Sequence, residues 1–321
     1  MSKLETMAYK MQPAGHEEPP KRRKYEKPPS KLRKAFESWF TFETPYDEMR
    51  DRDFKQYYEL ALKLTENLEI RLDDAHALLI SYQDHPNITS AGLFVSAIYN
   101  KIADEEIVFD LPLDVHINNL GYKLAEGKLL ISKADTGNAL GRASLAPVIN
   151  YGQSGFQMGH SSKAPVINFG ICMNRMGDYA KNSIVNLGVC RYESGNFRYS
   201  ELAINFGTCG PQFGWESKKL IINCGKAEYT FAPGMVEGLI IAIEDPESFA
   251  SFAYKNASKL LKAEDCMKIP ELVKYVQDLK ERLEKGRTDY KAIKDVVQEL
   301  SQPKVIRSNI EAILRGHGYD V

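Results

Sequence analysis

One spacing constrains this chain more than any other. Asn150, Asn168, Asn186, Asn205 and Asn223 stand 18, 18, 19 and 18 residues apart. Gly152, Gly170, Gly188, Gly207 and Gly225 follow two residues behind them. A third series, Gly141, Gly159, Gly177, Gly195 and Gly214, keeps the same period. The local text repeats with it: Val148-Ile149-Asn150-Tyr151-Gly152, Val166-Ile167-Asn168-Phe169-Gly170, Ile184-Val185-Asn186-Leu187-Gly188 and Ala203-Ile204-Asn205-Phe206-Gly207. A degenerate earlier copy puts Ser132 and Ala134 at the Asn and Gly positions, and a later one, Leu239 to Ile243, lacks both. The register runs from about Gly127 to Asp245 and holds 16 of the 22 glycines.

An 18-residue period is too short for a helix pair and fits a β-solenoid coil. Val/Ile-rich strands suit a pleated, half-buried surface, and glycine supplies sharp turns with positive φ. Stacked coils bring equivalent residues to about 4.8 Å. The asparagines are then expected to form a ladder whose amides bond one another, a structural use, because buried polar groups need partners. Six to seven coils make a rod of roughly 30 Å. Its two open ends expose strand edges, and the flanking helices are expected to cap them.

The flanks read differently. Residues 1–36 carry ten Lys/Arg against four Glu and five of the 15 prolines, a charge of +6 in a chain of net −1. The expected domains are a disordered, basic, Pro-rich arm over 1–36, a small helical cap over 37–112, the solenoid over 113–245 and a helical domain over 246–321. In the cap, Thr44-Pro45 starts a helix carrying Phe54, Tyr57, Tyr58, Ala61 and Leu64, a second begins near Asp73-Asp74, and a third runs from Thr89 to Lys101. In the last part, Asp245-Pro246 reads as a helix start, Pro270 opens a helix closed by Gly286, and Pro303 opens one closed by Gly316.

A finer pattern, Gly-x-x-Gly-x-x-x-Gly, is complete at Gly152–Gly155–Gly159 and Gly207–Gly210–Gly214 and partial in four other coils. Over residues 115–245 this resembles the glycine-patterned β-helix domain found in glutamate synthase, at the end of its large chain, and in formylmethanofuran dehydrogenase. The resemblance implies a right-handed β-helix that spaces and docks other domains. It implies no activity, because the catalytic parts of those enzymes have no counterpart here. Met173, Arg191 and Glu228 depart from the glycine pattern.

Several candidate sites follow. Cys172, Cys190 and Cys209 each lie two residues after a turn glycine and should stack in one column. Such thiols suit either a soft-metal or redox site or a column of small residues, since Thr136, Ser154 and Ala227 share the position. The six histidines form no metal-ligand motif, and no acid/base pair or nucleophile constellation stands out; no enzyme activity and no cofactor are expected. The basic clusters are the clearest functional signal. Lys21, Arg22, Arg23, Lys24, Tyr25, Lys27, Lys31, Arg33 and Lys34 combine phosphate-neutralising cations with a stacking aromatic. The expected function is a non-enzymatic docking platform whose arm contacts RNA; a ribosome-associated factor fits. The alternatives are an accessory structural component of a multisubunit oxidoreductase and a self-assembling homo-oligomer. A protein partner is expected on the solenoid or the C-terminal helices.

No apolar run approaches the roughly 20 residues of a membrane helix. The N-terminus shows no secretory signal, and five cysteines make a disulfide framework unlikely by count, so a reducing cytoplasm is expected.

Overall fold

The computed structural model describes residues 25–41, 51–191, 196–228, 230–235, 238–245, 248–249 and 259–321. The β-solenoid is present. Nine short parallel strands stack into one sheet: Glu106–Phe109, Leu129–Ser132, Val148–Asn150, Val166–Asn168, Ser183–Asn186, Leu202–Asn205, Leu220–Asn223, Leu239–Ala242 and Lys259–Leu261. Five more make the second sheet: Gln153–Phe156, Ile171–Asn174, Val189–Cys190, Thr208–Cys209 and Lys226–Ala227. The register follows the sequence period, with Asn150 opposite Asn168, Asn168 opposite Asn186, and Asn205 opposite Asn223. The larger sheet outruns the repeat at both ends, starting at Glu106 and ending at Leu261. Its first and last strands carry neither the asparagine nor the glycine, so the repeat alone does not mark them.

Strand burial explains the cover. In Leu220-Ile221-Ile222 every residue is buried. Ile221 faces the solenoid interior with Val148, Val166 and Ile184. Leu220 and Ile222 face outward with Ile149, Ile167 and Ile204. A parallel sheet that is apolar on both faces needs cover on both.

Among the described residues four α-helices precede the solenoid: α1 (Ser30–Phe40), α2 (Asp51–Thr65), α3 (Leu72–Ser81) and α4 (Gly92–Lys101). They extend the interior core beyond its first coil, burying Phe36, Trp39, Leu78 and Phe94. The Ser96 hydroxyl in α4 accepts the N–H groups of Gly121 and Tyr122 at 2.8 and 3.1 Å, so the cap supplies hydrogen bonds that a preceding coil would have made. Thr44-Pro45 lies outside the described residues.

The C-terminal helices α5 (Ala263–Cys266), α6 (Pro270–Lys285), α7 (Tyr290–Leu300) and α8 (Pro303–Gly316) correct the expectation of an end cap. They lie along the outer face of the nine-stranded sheet, where Leu272, Leu279, Ile293 and Ile306 share its core. Tyr151 Oη donates to Gly286 O at 3.0 Å, and Ser183 Oγ to Leu300 O at 2.6 Å. The helix expected after Asp245-Pro246 is also corrected. Ser248–Phe249 is a strand paired in parallel with Thr230–Phe231, so the coil geometry persists there. Gly316 lies inside α8, and the left-handed residue that follows is Gly318, with φ 83°. Among the described residues no helix is long and apolar enough to cross a membrane.

Candidate functional site

The basic segment divides in two. Lys21, Arg22, Arg23 and Lys24 lie outside the described residues. Lys27, Lys31, Arg33 and Lys34 are described and exposed. The last three stand on α1, which corrects the expectation of a disordered arm reaching residue 36. Leu32, Ala35, Phe36, Trp39 and Phe40 recur at helical spacing and are all buried, as an amphipathic helix requires. A boundary at 36 hid this stripe by cutting it in half. Trp39 Nε1 donates to Tyr57 O at 2.9 Å, fixing α1 against α2. Tyr25 is half-buried and meets the His76 ring edge-on at 6.1 Å. It is therefore an anchor of the segment, not an exposed stacking group.

The asparagine ladder is formed. Asn150, Asn168, Asn186 and Asn205 each donate Nδ2–H to the next Oδ1 at 2.9 Å. Asn223 Nδ2 ends the series on Glu244 O at 2.7 Å. All five side chains are fully buried. At the other end Asn150 Oδ1 accepts no hydrogen bond, because Ser132 in the preceding coil is too short and donates to Ala134 O instead. The ladder is internal and offers no surface to a ligand.

The cysteine column is also internal. Cys172 pairs in register with Cys190, and Cys190 with Cys209. All three are buried as free thiols. The adjacent Cys190 thiol and burial push the Cys172 thiol well above its ordinary range. Burial, with Cys190 and Glu228 nearby, does the same for Cys209. Neutral buried thiols are poor ligands and poor nucleophiles. Among the described residues no group of three His, Cys, Asp or Glu side chains is placed to hold a metal ion. Iodoacetamide at neutral pH is expected to leave Cys172, Cys190 and Cys209 unmodified in the folded protein and to alkylate them after denaturation. Peptide mapping checks this, and rapid labelling of the native column would overturn the core assignment.

The glycines do two different jobs, which corrects the idea that all of them serve positive φ. Gly141, Gly159, Gly177 and Gly214 are left-handed, with φ from 68° to 83°. Gly152, Gly170, Gly188, Gly207 and Gly225 are not; a Cβ there would lie 2.0–2.5 Å from a carbonyl oxygen of the previous coil. A Cβ on Gly155 would strike Asn138 Oδ1 at 2.3 Å, and Gly210 is buried. Gly195 lies outside the described residues. The left-handed glycines are flanked two residues away on each side by left-handed non-glycines: Gln157 and Ser161, Arg175 and Tyr179, Gln212 and Glu216. Each such residue costs roughly 1–2 kcal/mol. Coil-to-coil bonds such as Gly177 N–H to Met158 O at 2.7 Å hold the corner in place.

This corner carries a group of side chains that no motif in the sequence announces. Tyr179 and Tyr199 lie 6.2 Å apart between ring centroids and are both exposed. Trp215 is exposed in the following coil, its backbone bridged to Asn196. His160 meets Tyr179 edge-on at 5.6 Å, and its Nδ1 stands 3.4 Å from Asp178 Oδ2. Asp178 Oδ1 accepts Asn196 N–H at 2.8 Å. Burial would raise the Asp178 pKa, but His160 and the Asn196 amide outweigh it and hold the carboxyl below its usual range. A weaker signal was present: Tyr179, Tyr199 and Trp215 all fall just after the third glycine series, where the chain turns outward.

Fold and columns together define a capped β-solenoid repeat protein whose polar and thiol columns serve its interior. No family model, no curated protein and no solved structure matches the chain.

Proposed function

We propose that the protein is a non-enzymatic scaffold, a rigid solenoid platform that contacts RNA through its basic N-terminal segment. The observation that carries this reading is the presentation of α1. Its apolar side is locked into the cap by Leu32, Phe36 and Trp39, while Lys31, Arg33 and Lys34 stay exposed. Cations held on a rigid helix lose little freedom when they meet a phosphate backbone, and the counterions they release favour binding. Lys27 extends the basic run towards Lys21-Arg22-Arg23-Lys24. Acidic relief is slight: Glu37 on the same helix accepts a hydrogen bond from Tyr82 Oη.

The test is anisotropy of a labelled single-stranded RNA with the full chain at several salt concentrations. K31E/R33E/K34E should weaken binding at least tenfold and flatten the logarithmic salt slope by about 2, three contacts at ~0.7 each. Unchanged affinity in a variant with an unaltered melting curve would overturn the reading.

A further inference from the structure

The described surface exposes seven large hydrophobic side chains; Tyr179 and Tyr199 stand with rings 6.2 Å apart at one corner of the solenoid, and Phe156 and Trp215 each precede a left-handed residue of that corner, Gln157 and Glu216. The other three, Leu62, Met267 and Val305, lie on or beside helices. Exposed apolar groups are ordinary when scattered and informative when gathered. This gathering is entirely aromatic. We propose that the corner is a stacking platform for the bases of single-stranded RNA, with Arg175, Lys181 and Arg198 contacting its phosphates. The proposal rests on the RNA reading above and gives that RNA a second site.

Three observations favour this ligand. First, the rings are displayed by a stiff frame. Tyr179 stands in a left-handed backbone, φ 56°, fixed by its N–H bond to Asn196 O at 2.9 Å. Its ring is braced edge-on by His160, and Tyr199 projects from the next coil. Aromatic rings repeated along a rod accept successive bases without reading their sequence.

Second, the charge at the corner has been sorted. Asp178 is buried against His160 and the Asn196 amide. Glu216 Oε2 accepts Asn196 Nδ2–H at 2.7 Å. Both carboxylates are thus drawn into contacts within the corner, and among the described residues half-exposed Glu201, two residues after Tyr199, is a further acid there. Arg175, Lys181 and Arg198 are exposed around the rings. Aromatic platforms for neutral sugars would want those carboxylates free as acceptors for hydroxyls. A rim of cations around stacked rings suits a polyanion that carries π-faces.

Third, the corner is continuous with the cap that bears the basic helix. Arg142 precedes His160 by one coil, and its guanidinium lies 5.0 Å from the Phe54 ring of α2. The next turn of α2 carries Tyr57, whose carbonyl takes the Trp39 indole N–H of α1. A strand bound along the corner therefore leads towards the helix that presents Lys31, Arg33 and Lys34.

The chain has two tryptophans, and Trp39 is buried, so quenching by a bound base reports on Trp215. The experiment titrates the full chain with an oligouridylate and with an abasic oligomer of equal length and charge, following tryptophan emission and anisotropy. The oligouridylate should quench Trp215 and bind more tightly than the abasic oligomer. Y179A/Y199A should lose about tenfold or more in affinity for the oligouridylate and little for the abasic strand. Y179F/Y199F should bind as wild type, which separates stacking from a folding defect. K31E/R33E/K34E should weaken both ligands but leave quenching at saturation intact. If RNA binds through α1 yet Trp215 is not quenched and Y179A/Y199A binds normally, the corner is not a site and the basic-helix reading survives. If neither ligand binds, both fall. Binding of the two ligands with equal affinity and equal sensitivity to Y179A/Y199A would also overturn base stacking.

Discussion

Gly188→Ala is expected to destabilise the fold by more than ~4 kcal/mol and to lower its melting temperature by roughly ten degrees or more. The added Cβ would sit 2.0 Å from Gly170 O and 2.7 Å from the Phe169 carbonyl carbon and oxygen. All of these are backbone atoms of the adjacent coil, so no side chain can swing aside. Relief requires the coils to separate, and separation breaks the parallel ladder on both sides of the site. A cost above ~4 kcal/mol belongs to the exceptional class of single substitutions and takes between about a quarter and four fifths of a typical stability of about 5–15 kcal/mol. Gly316→Ala is the contrast. Nothing lies within 4 Å of its Cβ, and it sits at the end of α8. Alanine there should be neutral or stabilising, by up to ~1 kcal/mol. Circular dichroism melts of the two variants decide the matter; a Gly188→Ala protein that melts within a few degrees of wild type would refute the close-stacking argument.

Asn186→Ala is expected to cost about 3–4 kcal/mol. The side chain accepts from Asn168 and donates to Asn205 Oδ1, with further contacts to Gly188 O at 3.3 Å and Thr208 O at 3.0 Å. Its removal orphans Asn205 Oδ1 and opens a cavity in a fully buried position. An orphaned buried polar group costs about 1–3 kcal/mol, and the cavity adds to it. Asn150→Ala should cost less, about 1–2 kcal/mol, since its Oδ1 has no partner to lose. Ser132→Asn should be stabilising by up to ~1 kcal/mol, because a new amide can donate to that Oδ1 and add a rung. Urea titrations of the three variants give the ranking. Equal costs at positions 150 and 186 would show that the ladder is not a connected series.

Both effects were largely legible in the residues. The strict return of Asn and Gly every 18 or 19 positions reflects stacked backbones that repeat the same contact in each coil. The exceptions were legible as well. Ala134 stands at a close-approach position where the preceding strand is not a repeat coil: its N–H faces Phe109 O at 3.3 Å. Other features were hidden. The left-handed residues Gln157, Arg175 and Tyr179 carry no glycine to announce them. The stripe on α1 was obscured because its charges resemble the arm before it.

The sequence by itself determined the solenoid, its period, its internal asparagine and thiol columns and the charge of its N-terminal segment. These are local or periodic properties, and a contact made between identical neighbours is written once per coil. Only the tertiary structure decided where the C-terminal helices lie. Leu220 and Ile222 ask for cover without naming what supplies it, and α6 to α8 answer from more than 40 residues away along the chain. It also decided which aromatic residues face solvent. Phe197 is buried and Tyr199 exposed two residues later, because a turn closed by the Ser200 N–H on Phe197 O at 2.9 Å separates them. Such choices depend on packing between segments distant in sequence, and no period within one segment records them.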